Sequence, residues 1–338
     1  MSAHSRSASA VLAWSRDLVQ PGLRDAVDRL PPAIRRIAGY HLGWWDEHGS
    51  PATAPTGKAI RPALTLLCAE SAGAAAEVAL PAAVAVELAH NFSLLHDDLL
   101  DGDHKRRHRP TAWTVFGING AILTGDALLA LASDVLADSA HPSSARVLTT
   151  TVIDLVDGEH TDLAFEQYDD VSVQECEAMV ERKTASLLAA SCALGGIFAG
   201  GDPVTVTRLS EFGRLLGMAY QHVDDLLGIW GDPAVTGKPV HTDLASRKKS
   251  LPVVAALASG TPAGHELADW YRLDRSLGDD CLTHLARLVE EAGGRAWCES
   301  ETKRLMDEAL LMLSATAPAP RPAAELSALA DLLVCRAS

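Results

Sequence analysis

Two short stretches of this sequence decide its fold: SLLHDDLLD at residues 93–101 and AYQHVDDLLG at residues 219–228. Each ends a long run in which apolar residues recur at spacings of three and four, which predicts a helix with one buried face. Each also carries an acidic pentad, DDLLD in the first and DDLLG in the second. A solvated helix end would show more Lys and Glu around the acids, so these carboxylates are expected at the ends of buried helices.

The same helical pattern extends over most of the 338 residues. Apolar residues make up 48% of the chain and aromatic ones only 5%, and the excess is Ala and Leu, which lose little entropy in a helix. Helical periodicity covers residues 14–47, 57–71, 78–100, 119–138, 144–166, 172–199 and 203–230, and no stretch of useful length alternates like a strand. An all-α fold is predicted: one large helical bundle around a central cavity, a single domain spanning residues 1–338, with residues 1–13 disordered.

Charge and cysteine content narrow the function classes. The formal net charge of −15 opposes a nucleic-acid backbone, so no nucleic-acid partner is expected. The six cysteines are scattered without a CxxC pair, which predicts reduced thiols in a cytoplasmic protein rather than a zinc site. The N-terminus lacks the apolar run of a signal peptide, and the longest uncharged stretch, residues 185–201, falls short of a transmembrane segment.

Basic residues form three clusters, one after each pentad and one at the predicted start of an earlier helix. The clusters are Lys105, Arg106, Arg107 and Arg109 after the first pentad, Lys238, Arg247, Lys248 and Lys249 after the second, and Lys58 with Arg61 at a predicted helix start. Arg forks suit phosphate oxygens, and Lys supplies mobile positive charge. The segment at residues 228–252, rich in Gly, Pro and cations, predicts a long functional loop. A mobile linker is predicted at PAPRP, residues 318–322, before a last helix.

The acids of the first pentad suit a hard cation. Residues four apart stack on one face of a helix, so Asp97 and Asp101 point the same way with Asp98 alongside. Carboxylates this close are stable at neutral pH when cations neutralise them, and Mg²⁺ takes one or two carboxylates together with water and phosphate oxygens. Two such acid groups across a bundle cavity predict a site that holds several divalent ions and a polyphosphate.

The order of motifs along the chain resembles the trans-isoprenyl diphosphate synthases, also called polyprenyl synthetases, and in detail the actinobacterial geranylgeranyl diphosphate synthases. The motifs are GKxxRP at 57–62, ELxH at 87–90, HDDxxD at 96–101, RRxRPT at 106–111, GDxLL at 125–129, KT at 183–184, QxxDD at 221–225, GKP at 237–239 and KK at 248–249. The resemblance implies an all-α fold of isoprenoid synthase type and a cytoplasmic homodimer. It covers nearly the whole chain.

The resemblance also implies a role for each matching residue. Asp97, Asp101 and Asp224 bind up to three Mg²⁺ ions, with Mn²⁺ as a substitute, and Asp98 and Asp225 support them. The allylic diphosphate is neutralised by Arg106, Lys183, Lys238 and Lys248. Isopentenyl diphosphate is bound by Lys58, Arg61, His90 and Arg107, while Thr184 and Gln221 face the developing allylic cation.

The reaction implied is a prenyl transfer that lengthens an allylic chain. Metals and cations stabilise the charge that grows on the departing diphosphate, and an apolar shaft shields the carbocation from water. The double bond of isopentenyl diphosphate then attacks the cation. Phe92 lies five residues before Asp97, about 7 Å along a helix at 1.5 Å per residue. By resemblance, one aromatic at that point with small Ser93 beside it favours a C20 product, geranylgeranyl diphosphate, over C15.

Three positions depart from the family pattern. Gly228 replaces a frequent acid at the end of the second pentad, His108 replaces a glycine, and Glu159 replaces a frequent glutamine. If one ion at Asp224 is enough for the second pentad, Gly228 is tolerable and Gly228→Asp is expected to change little. If the glycine's backbone freedom is needed at position 108, the loop that carries Arg106 and Arg107 is expected to shift.

Three alternative functions stay open at this level. A terpene cyclase on the same scaffold ionises an allylic diphosphate without a second substrate. A non-catalytic partner subunit of a prenyl synthase is suggested by Gly228. A ferritin-type di-metal bundle is suggested by the ExxH of Glu87 and His90, although that class needs two such motifs and the sequence shows one.

Overall fold

The structure is a computed structural model of the chain, and it describes residues 5–52, 57–139, 141–168, 170–233, 239–273 and 277–334. Within these residues the all-α prediction is confirmed, because the chain is 77% helical. The β structure there consists of one hairpin, whose two strands have two residues each, and an isolated bridge between Trp45 and Pro51.

The first half of the chain contains the elements around the first pentad. They are α1 Ala8–Asp28, α2 Pro32–His41, α3 Ile60–Ser71, a 3-10 turn Ala76–Ala79, α4 Leu80–Leu100, β1 Lys105–Arg106, β2 Arg109–Pro110, α5 Ala112–Phe116 and α6 Ile118–Ala137. The predicted helix at 14–47 is divided after Asp28, where Pro31 and Pro32 follow. A proline cannot donate the hydrogen bond that a continuing helix requires, although it suits the first turn of a new one.

The second half contains the elements around the second pentad. They are α7 Pro142–Phe165, α8 Val173–Val180, a π-helical turn Glu181–Ala185, α9 Ser186–Phe198, α10 Pro203–Trp230, α11 Thr242–Ala245, α12 Leu251–Leu257, α13 Pro262–Tyr271, α14 Asp279–Glu291, α15 Gly294–Ala315 and α16 Pro320–Val334. The segment expected to be a loop at 228–252 therefore includes the end of α10 and one short helix.

The chain divides into two compact units. Unit 1 comprises Met1–Val152, Ala190–Ser210 and Thr316–Ala328, and unit 2 comprises Ile153–Ala189, Glu211–Ala315 and Leu329–Ser338. The first pentad belongs to unit 1 and the second to unit 2. The single-domain organisation of residues 1–338 stays a prediction.

In unit 1, α4 is the central helix and packs against α3 and α6. Its side chains Leu88 and Leu95 are fully buried, as are Leu64 of α3 and Leu128 of α6. Each such leucine contributes about 1.5–3 kcal/mol through burial. This packing holds the helix that carries the first pentad.

In unit 2, a buried cluster joins the end of α10 to the helices after it. Ile229 of α10, Val253 of α12, Leu267 of α13 and Leu285 of α14 are all fully buried in this cluster. This packing holds the helix that carries the second pentad, because the buried Ile229 lies about one turn after Asp225.

Two expectations about the chain ends need correction. Residues 8–13 are helical rather than disordered, because Ser7 caps α1 by accepting a hydrogen bond from the backbone N–H of Ala10 at 3.3 Å. Residues 1–4 lie outside the described residues. The PAPRP segment is expected to be a linker over residues 318–322, but the last helix, α16, already begins at Pro320.

An ion-pair network in unit 1 explains why both ends are fixed. Glu325, which is fully buried on α16, pairs with Arg6 at 2.6 Å and with Arg321 at 3.0 Å. The same two arginines pair with Glu70 of α3, at 3.1 and 2.6 Å. A buried carboxylate needs such partners, and here two guanidinium groups supply them.

Two helical stretches, Ala76–Leu100 and Ile118–Ala137, are long and apolar enough to cross a membrane by length and composition alone. In the first, 67% of the apolar window is buried within the structure, as in a core helix of a globular protein. In the second only 39% is buried. The absence of a transmembrane segment therefore stays a prediction.

Candidate active site

The first pentad lies where α4 ends in unit 1. Asp101 is exposed just beyond the last helical residue, and its backbone N–H donates to the carbonyl of Asp97 at 2.8 Å. Asp97 is partly exposed, whereas Asp98 is 1% exposed. Asp98 accepts a hydrogen bond from Nε of Arg106 at 2.6 Å. The outer acids are thus available to solvent, and the middle acid holds an arginine.

The environment of Asp98 explains this pairing. Burial raises the pKa of its carboxyl, and the charge and hydrogen bond of Arg106 oppose that rise. The second oxygen, Oδ2, is buried and has no hydrogen-bond partner among the residues that the structure describes. A buried acceptor of this kind costs free energy unless a donor or cation reaches it.

Arg106 and Arg107 are presented by the β1–β2 hairpin. Its register pairs Arg106 with Arg109, so Arg107 and His108 form the two-residue turn. Both turn residues have positive φ, 51° for Arg107 and 64° for His108. Two-residue hairpins favour this left-handed backbone, usually with glycine or asparagine. The chain therefore adopts the glycine-like conformation despite His108, and the hairpin that carries Arg106 and Arg107 forms.

Arg61 and His90 form a second basic group in unit 1. Nη1 of Arg61 lies 3.2 Å from Nε2 of His90. Burial lowers the pKa of His90 well below its usual value, and the neighbouring positive charges, led by Arg61, lower it further. A neutral imidazole can accept from the guanidinium, so the pair is compatible although both residues are basic.

Arg107 and Lys58 reach the same part of unit 1. Lys58 is exposed just before α3. A Cβ placed on the adjacent Gly57 would lie 2.6 Å from the guanidinium of Arg107, so only glycine fits there without a shift of that side chain. A cavity of about 70 Å³ beside this group is lined in part by Gly57, Glu87, Asn91 and Arg107. The four residues predicted to bind isopentenyl diphosphate thus belong to one unit, on α3, on α4, on the hairpin and on the segment just before α3.

Phe92 occupies the buried face of α4 below the first pentad. It is 5% exposed, and its ring contacts that of His96 edge to face at a centroid distance of 4.8 Å. Gly125 of α6 makes room for His96, since a Cβ there would lie 2.4 Å from Nε2. The role of Phe92 in product length stays a prediction.

The second pentad lies in the last two turns of α10 in unit 2, and α10 has the bounds predicted for this helix, 203–230. Asp224 is exposed and Asp225 is 3% exposed. Asp225 accepts hydrogen bonds from the backbone N–H of Leu251 at 2.9 Å and from Nε2 of Gln221 at 2.8 Å. Burial raises the pKa of Asp225 to about 7, against the opposing charge of Lys248.

Thr184 and Gln221 belong to the same hydrogen-bonded chain. The hydroxyl of Thr184 donates to Oε1 of Gln221 at 2.8 Å, and Gln221 donates in turn to Asp225. Buried polar groups that are all paired in this way are rigid. The structure therefore brings together three residues that the sequence placed 37 and 41 positions apart.

Lys183 and Thr184 stand on the π-helical turn. Turns of this type occur as single insertions in helices, frequently at functional sites. Two glycines make room for it: a Cβ on Gly158 would lie 2.4 Å from the backbone N of Lys183, and one on Gly217 would lie 2.6 Å from Cα of Ala185. The close approach of these two helices to the turn fixes the direction in which the Lys183 side chain points.

Two acids of α7 hold the ammonium group of Lys183. Its Nζ lies 2.6 Å from Asp162 and 2.8 Å from Glu159. Burial disfavours the charge, but the two carboxylates outweigh burial and raise the pKa of Lys183. Asp162 was missed in the sequence, although its spacing of three from Glu159 places both on one helix face.

The space beside Gly228 is occupied by Asp243 of α11. A Cβ on Gly228 would lie 2.4 Å from Oδ2 of that residue. A carboxylate at position 228 would meet the end of the Asp243 side chain, which would have to shift, so the structure argues against the expectation that Gly228→Asp changes little. No sequence signal pointed to Asp243, which lies 15 positions further along the chain.

Lys248 lies among the acids of unit 2. Burial opposes its charge, yet Asp225, Asp162, Asp243 and Asp224 together raise its pKa. Its predicted place near the second pentad is thus consistent with the electrostatics. Lys238, predicted to neutralise the same diphosphate, lies outside the described residues.

The two pentads each offer a divalent cation one or two exposed or partly exposed carboxylates. No group of three or more His, Cys, Asp or Glu with metal-ligand geometry occurs in the described part of the chain. Mg²⁺ nevertheless needs only one or two carboxylates when phosphate and water supply the other oxygens. Asp97 with Asp101, and Asp224 by itself, have the hard oxygen donors and the exposure that such binding requires.

Paired acids with Arg and Lys nearby, on an all-α scaffold, are the features of a protein that binds polyphosphate esters. A family model described as polyprenyl synthetase matches residues 44–289. The (2E,6E)-farnesyl diphosphate synthase of Mycobacterium tuberculosis is 46% identical over 338 residues, covering 98% of this chain and 94% of that protein. The geranylgeranyl diphosphate synthase of the same organism is 41% identical over 331 residues, covering 97% and 93%.

A solved structure gives the same result. The polyprenyl synthetase of Streptomyces coelicolor has a TM-score of 0.92 and 48% identity, covering 96% of this chain and 99% of that one. The chain therefore belongs to the polyprenyl synthetase family. The predicted resemblance and the isoprenoid synthase fold are confirmed.

Proposed function

We propose that this prenyltransferase condenses isopentenyl diphosphate with an allylic diphosphate in a Mg²⁺-dependent reaction, giving an all-trans prenyl diphosphate. The observation that carries the proposal is repeated in both units. In each, an outward acid stands next to a buried one, and the buried acid bonds the segment that carries cations: Arg106 in unit 1, and the backbone after Lys248 in unit 2.

The proposed roles follow from these contacts. Asp97, Asp101 and Asp224 hold divalent ions, with Mn²⁺ as a substitute, and bound metal supplies charge stabilisation for the departing diphosphate. Arg106, Lys183, Lys238 and Lys248 bind that diphosphate, and Asp98 and Asp225 position the basic segments. The Thr184–Gln221 pair orients oxygen atoms toward the developing cation.

The second substrate is assigned to the group around Arg61. Isopentenyl diphosphate is bound by Lys58, Arg61, His90 and Arg107, which offer a fork of guanidinium donors and exposed ammonium charge. His90 stays neutral, so it positions Arg61 without adding a charge. The proton lost after carbon–carbon bond formation goes to the departed diphosphate, so no protein base is needed.

For product length we propose C20, geranylgeranyl diphosphate. Phe92 supports this as a buried aromatic below the first pentad, with Ser93 beside it also buried. The two mycobacterial relatives carry farnesyl and geranylgeranyl names, so family membership leaves the length open. Products of Phe92→Ala longer than those of the wild type would support a floor at this residue. An unchanged product distribution would remove it.

We also propose a cytoplasmic homodimer. Helix α6 exposes Ile118, Ile122 and Leu123 to 51, 37 and 57%, and such an apolar face suits an interface with a second copy. Light scattering at several concentrations tests the dimer. Leu123→Lys is expected to increase the monomer fraction, and a monomeric wild type would contradict the proposal.

One incubation tests the function. Purified protein, Mg²⁺ and labelled isopentenyl diphosphate are combined with dimethylallyl, geranyl or farnesyl diphosphate, and the products are analysed by mass spectrometry. Label in a longer chain is expected. Ionisation of the allylic substrate without incorporation would favour a cyclase, and no turnover until a second synthase subunit is added would favour a partner subunit.

Lys58→Ala separates the two substrates. Its KM for isopentenyl diphosphate is expected to rise while the KM for the allylic diphosphate changes little. Lys303→Ala, at an exposed lysine of α15 in unit 2, is the control. An equal rise of both KM values in Lys58→Ala would overturn the assignment.

A further inference from the structure

In unit 2, two acids share a cation that is largely shielded from solvent. Lys183 pairs with Asp162 and Glu159, and the three side chains are only 22, 16 and 9% exposed. Asp162 accepts a hydrogen bond from Nζ at 2.6 Å. Glu159 lies 2.8 Å from the same nitrogen, but neither of its oxygens has a hydrogen bond in suitable geometry among the described residues. The two acids therefore differ in how they contact the lysine.

The two acids of this cluster face different cations. Asp162 raises the pKa of Lys248 as well as that of Lys183, whereas Lys183 is the one ion-pair partner of Glu159 among the described residues. The charge of Glu159 therefore acts on Lys183, where solvent screening is weak. Asp162 already supplies the hydrogen bond that fixes Nζ, and an ammonium has three donors, so donors remain for a ligand oxygen. Glu159 adds negative charge at that point without satisfying a further donor.

The backbone fixes the position of Glu159. The preceding residue, Gly158, lies against the backbone of Lys183, so that a Cβ at 158 would be 2.4 Å from its N. The backbone at Glu159 is therefore held against the π-helical turn, and its side chain is only 9% exposed. Any anion that binds Lys183 must approach this carboxylate as well.

We propose that Glu159 sets the affinity of the allylic site for diphosphate. The proposal rests on the proposed function, in which Lys183 binds diphosphate. Glu159 is then a positioning residue that weakens the binding of diphosphate by Lys183. It lowers the affinity for the allylic substrate, and it speeds the departure of the diphosphate product after transfer. Asp162 retains Lys183 in place meanwhile.

The test compares Glu159→Gln with the wild type, since glutamine keeps the shape and removes the charge. Binding of inorganic diphosphate and of dimethylallyl diphosphate is measured by calorimetry in the presence of Mg²⁺. Glu159→Gln is expected to bind both roughly tenfold more tightly, because one repulsive charge close to the ligand is gone. The KM for the allylic diphosphate should fall, while the KM for isopentenyl diphosphate stays unchanged.

Two variants control the measurement. Asp157→Asn removes an acid of the same helix that pairs with Arg182 at 2.7 Å on the exposed surface, and its affinities should stay those of the wild type. Glu159→Asp keeps the charge and should stay near the wild type. If Glu159→Gln does not fold, Glu159→Met, which also lacks the charge, is expected to show the same tighter binding.

The outcomes separate this proposal from the proposed function. Loss of diphosphate binding in Lys183→Ala, with unchanged or weaker binding in Glu159→Gln, would overturn the role of Glu159 and leave the function standing. Binding that survives Lys183→Ala at wild-type affinity would also overturn the role of Glu159, which acts through Lys183, and would leave the function to Arg106, Lys238 and Lys248. Wild-type protein that fails to bind diphosphate would overturn both. Tighter binding in Glu159→Gln and Glu159→Met but not in Glu159→Asp supports the proposal.

Discussion

The two acidic pentads share their letters but not their surroundings. In both, the second aspartate is buried and the first is more exposed: Asp98 and Asp225 are 1 and 3% exposed. Both buried acids bond a downstream segment, Asp98 through Arg106 and Asp225 through the backbone of Leu251. The repeated DD pair thus joins a more exposed acid with a buried acid that bonds a segment further along the chain.

The fifth position is where the pentads diverge. Asp101 stands exposed just past the end of α4, whereas Gly228 lies within α10 with the carboxylate of Asp243 beside it. A pentad at a helix end offers two acids one turn apart. A pentad inside a helix depends on what packs against it. This contrast predicts unequal responses to mutation at matching positions.

The largest effect is expected at the outward acids. Asp97→Asn or Asp101→Asn should lower kcat about a hundredfold to a thousandfold with Mg²⁺ present, since charge stabilisation of the leaving diphosphate is lost. Asp224→Ala should be similarly damaging. Steady-state kinetics measure this, with the exposed Asp17→Asn as the control. Near-normal turnover in Asp97→Asn or Asp101→Asn would refute the metal assignment for the first pentad.

The buried acids should give a smaller loss of a different kind. In Asp225→Asn, one oxygen becomes an NH₂ group that faces a donor, either the N–H of Leu251 or Nε2 of Gln221. The free energy of unfolding should fall by about 1–3 kcal/mol, and activity should fall roughly ten- to a hundredfold through misplaced neighbours. Denaturant unfolding and kinetics check both. Normal stability would show that the two hydrogen bonds are dispensable.

Gly228→Asp tests the divergence at the fifth position directly. The new carboxylate would meet that of Asp243, so we expect roughly tenfold lower activity from the misplaced segment and from repulsion. The double variant Gly228→Asp with Asp243→Gly should recover part of the loss, because one acid again fills the space. Full activity in the single variant would show that α11 moves aside without consequence.

The sequence predicted the parts of this site that depend on local pattern. The long helices followed from apolar spacing, and Asp97 and Asp101 were placed on one helix face by their spacing of four. The environment of Gly228 was not accessible, because Asp243 reaches it through tertiary packing. The π-helical turn under Lys183 was also hidden, since Gly158 and Gly217 make room for it from two other helices.

Stability should fall at low pH because of a buried histidine on α10, the helix that carries the second pentad. His222 is fully buried against Cys298, and burial lowers its pKa to about 4. Between about pH 6.5 and 4 the unfolded chain binds a proton that the folded one does not, so stability falls as pH decreases, by up to about 1.4 kcal/mol per pH unit. His222→Gln should reduce this slope in urea unfolding. Burial, together with the charges of Arg107 and Arg106, lowers the pKa of His41 to about 3, and this residue adds a similar slope of its own.

The smallest effect is expected in the hairpin that serves the first pentad. His108 has a φ of 64°, which disfavours a residue with a Cβ by about 1–2 kcal/mol. His108→Gly relieves this strain but makes the unfolded chain more flexible, so a net gain of about 0.5–1 kcal/mol is expected. The exposed Gly102, whose φ is 66°, provides the reverse variant, Gly102→Ala, which should destabilise by a similar amount. If the turn is already relaxed, His108→Gly will instead destabilise, and kinetics will show whether Arg106 still reaches Asp98.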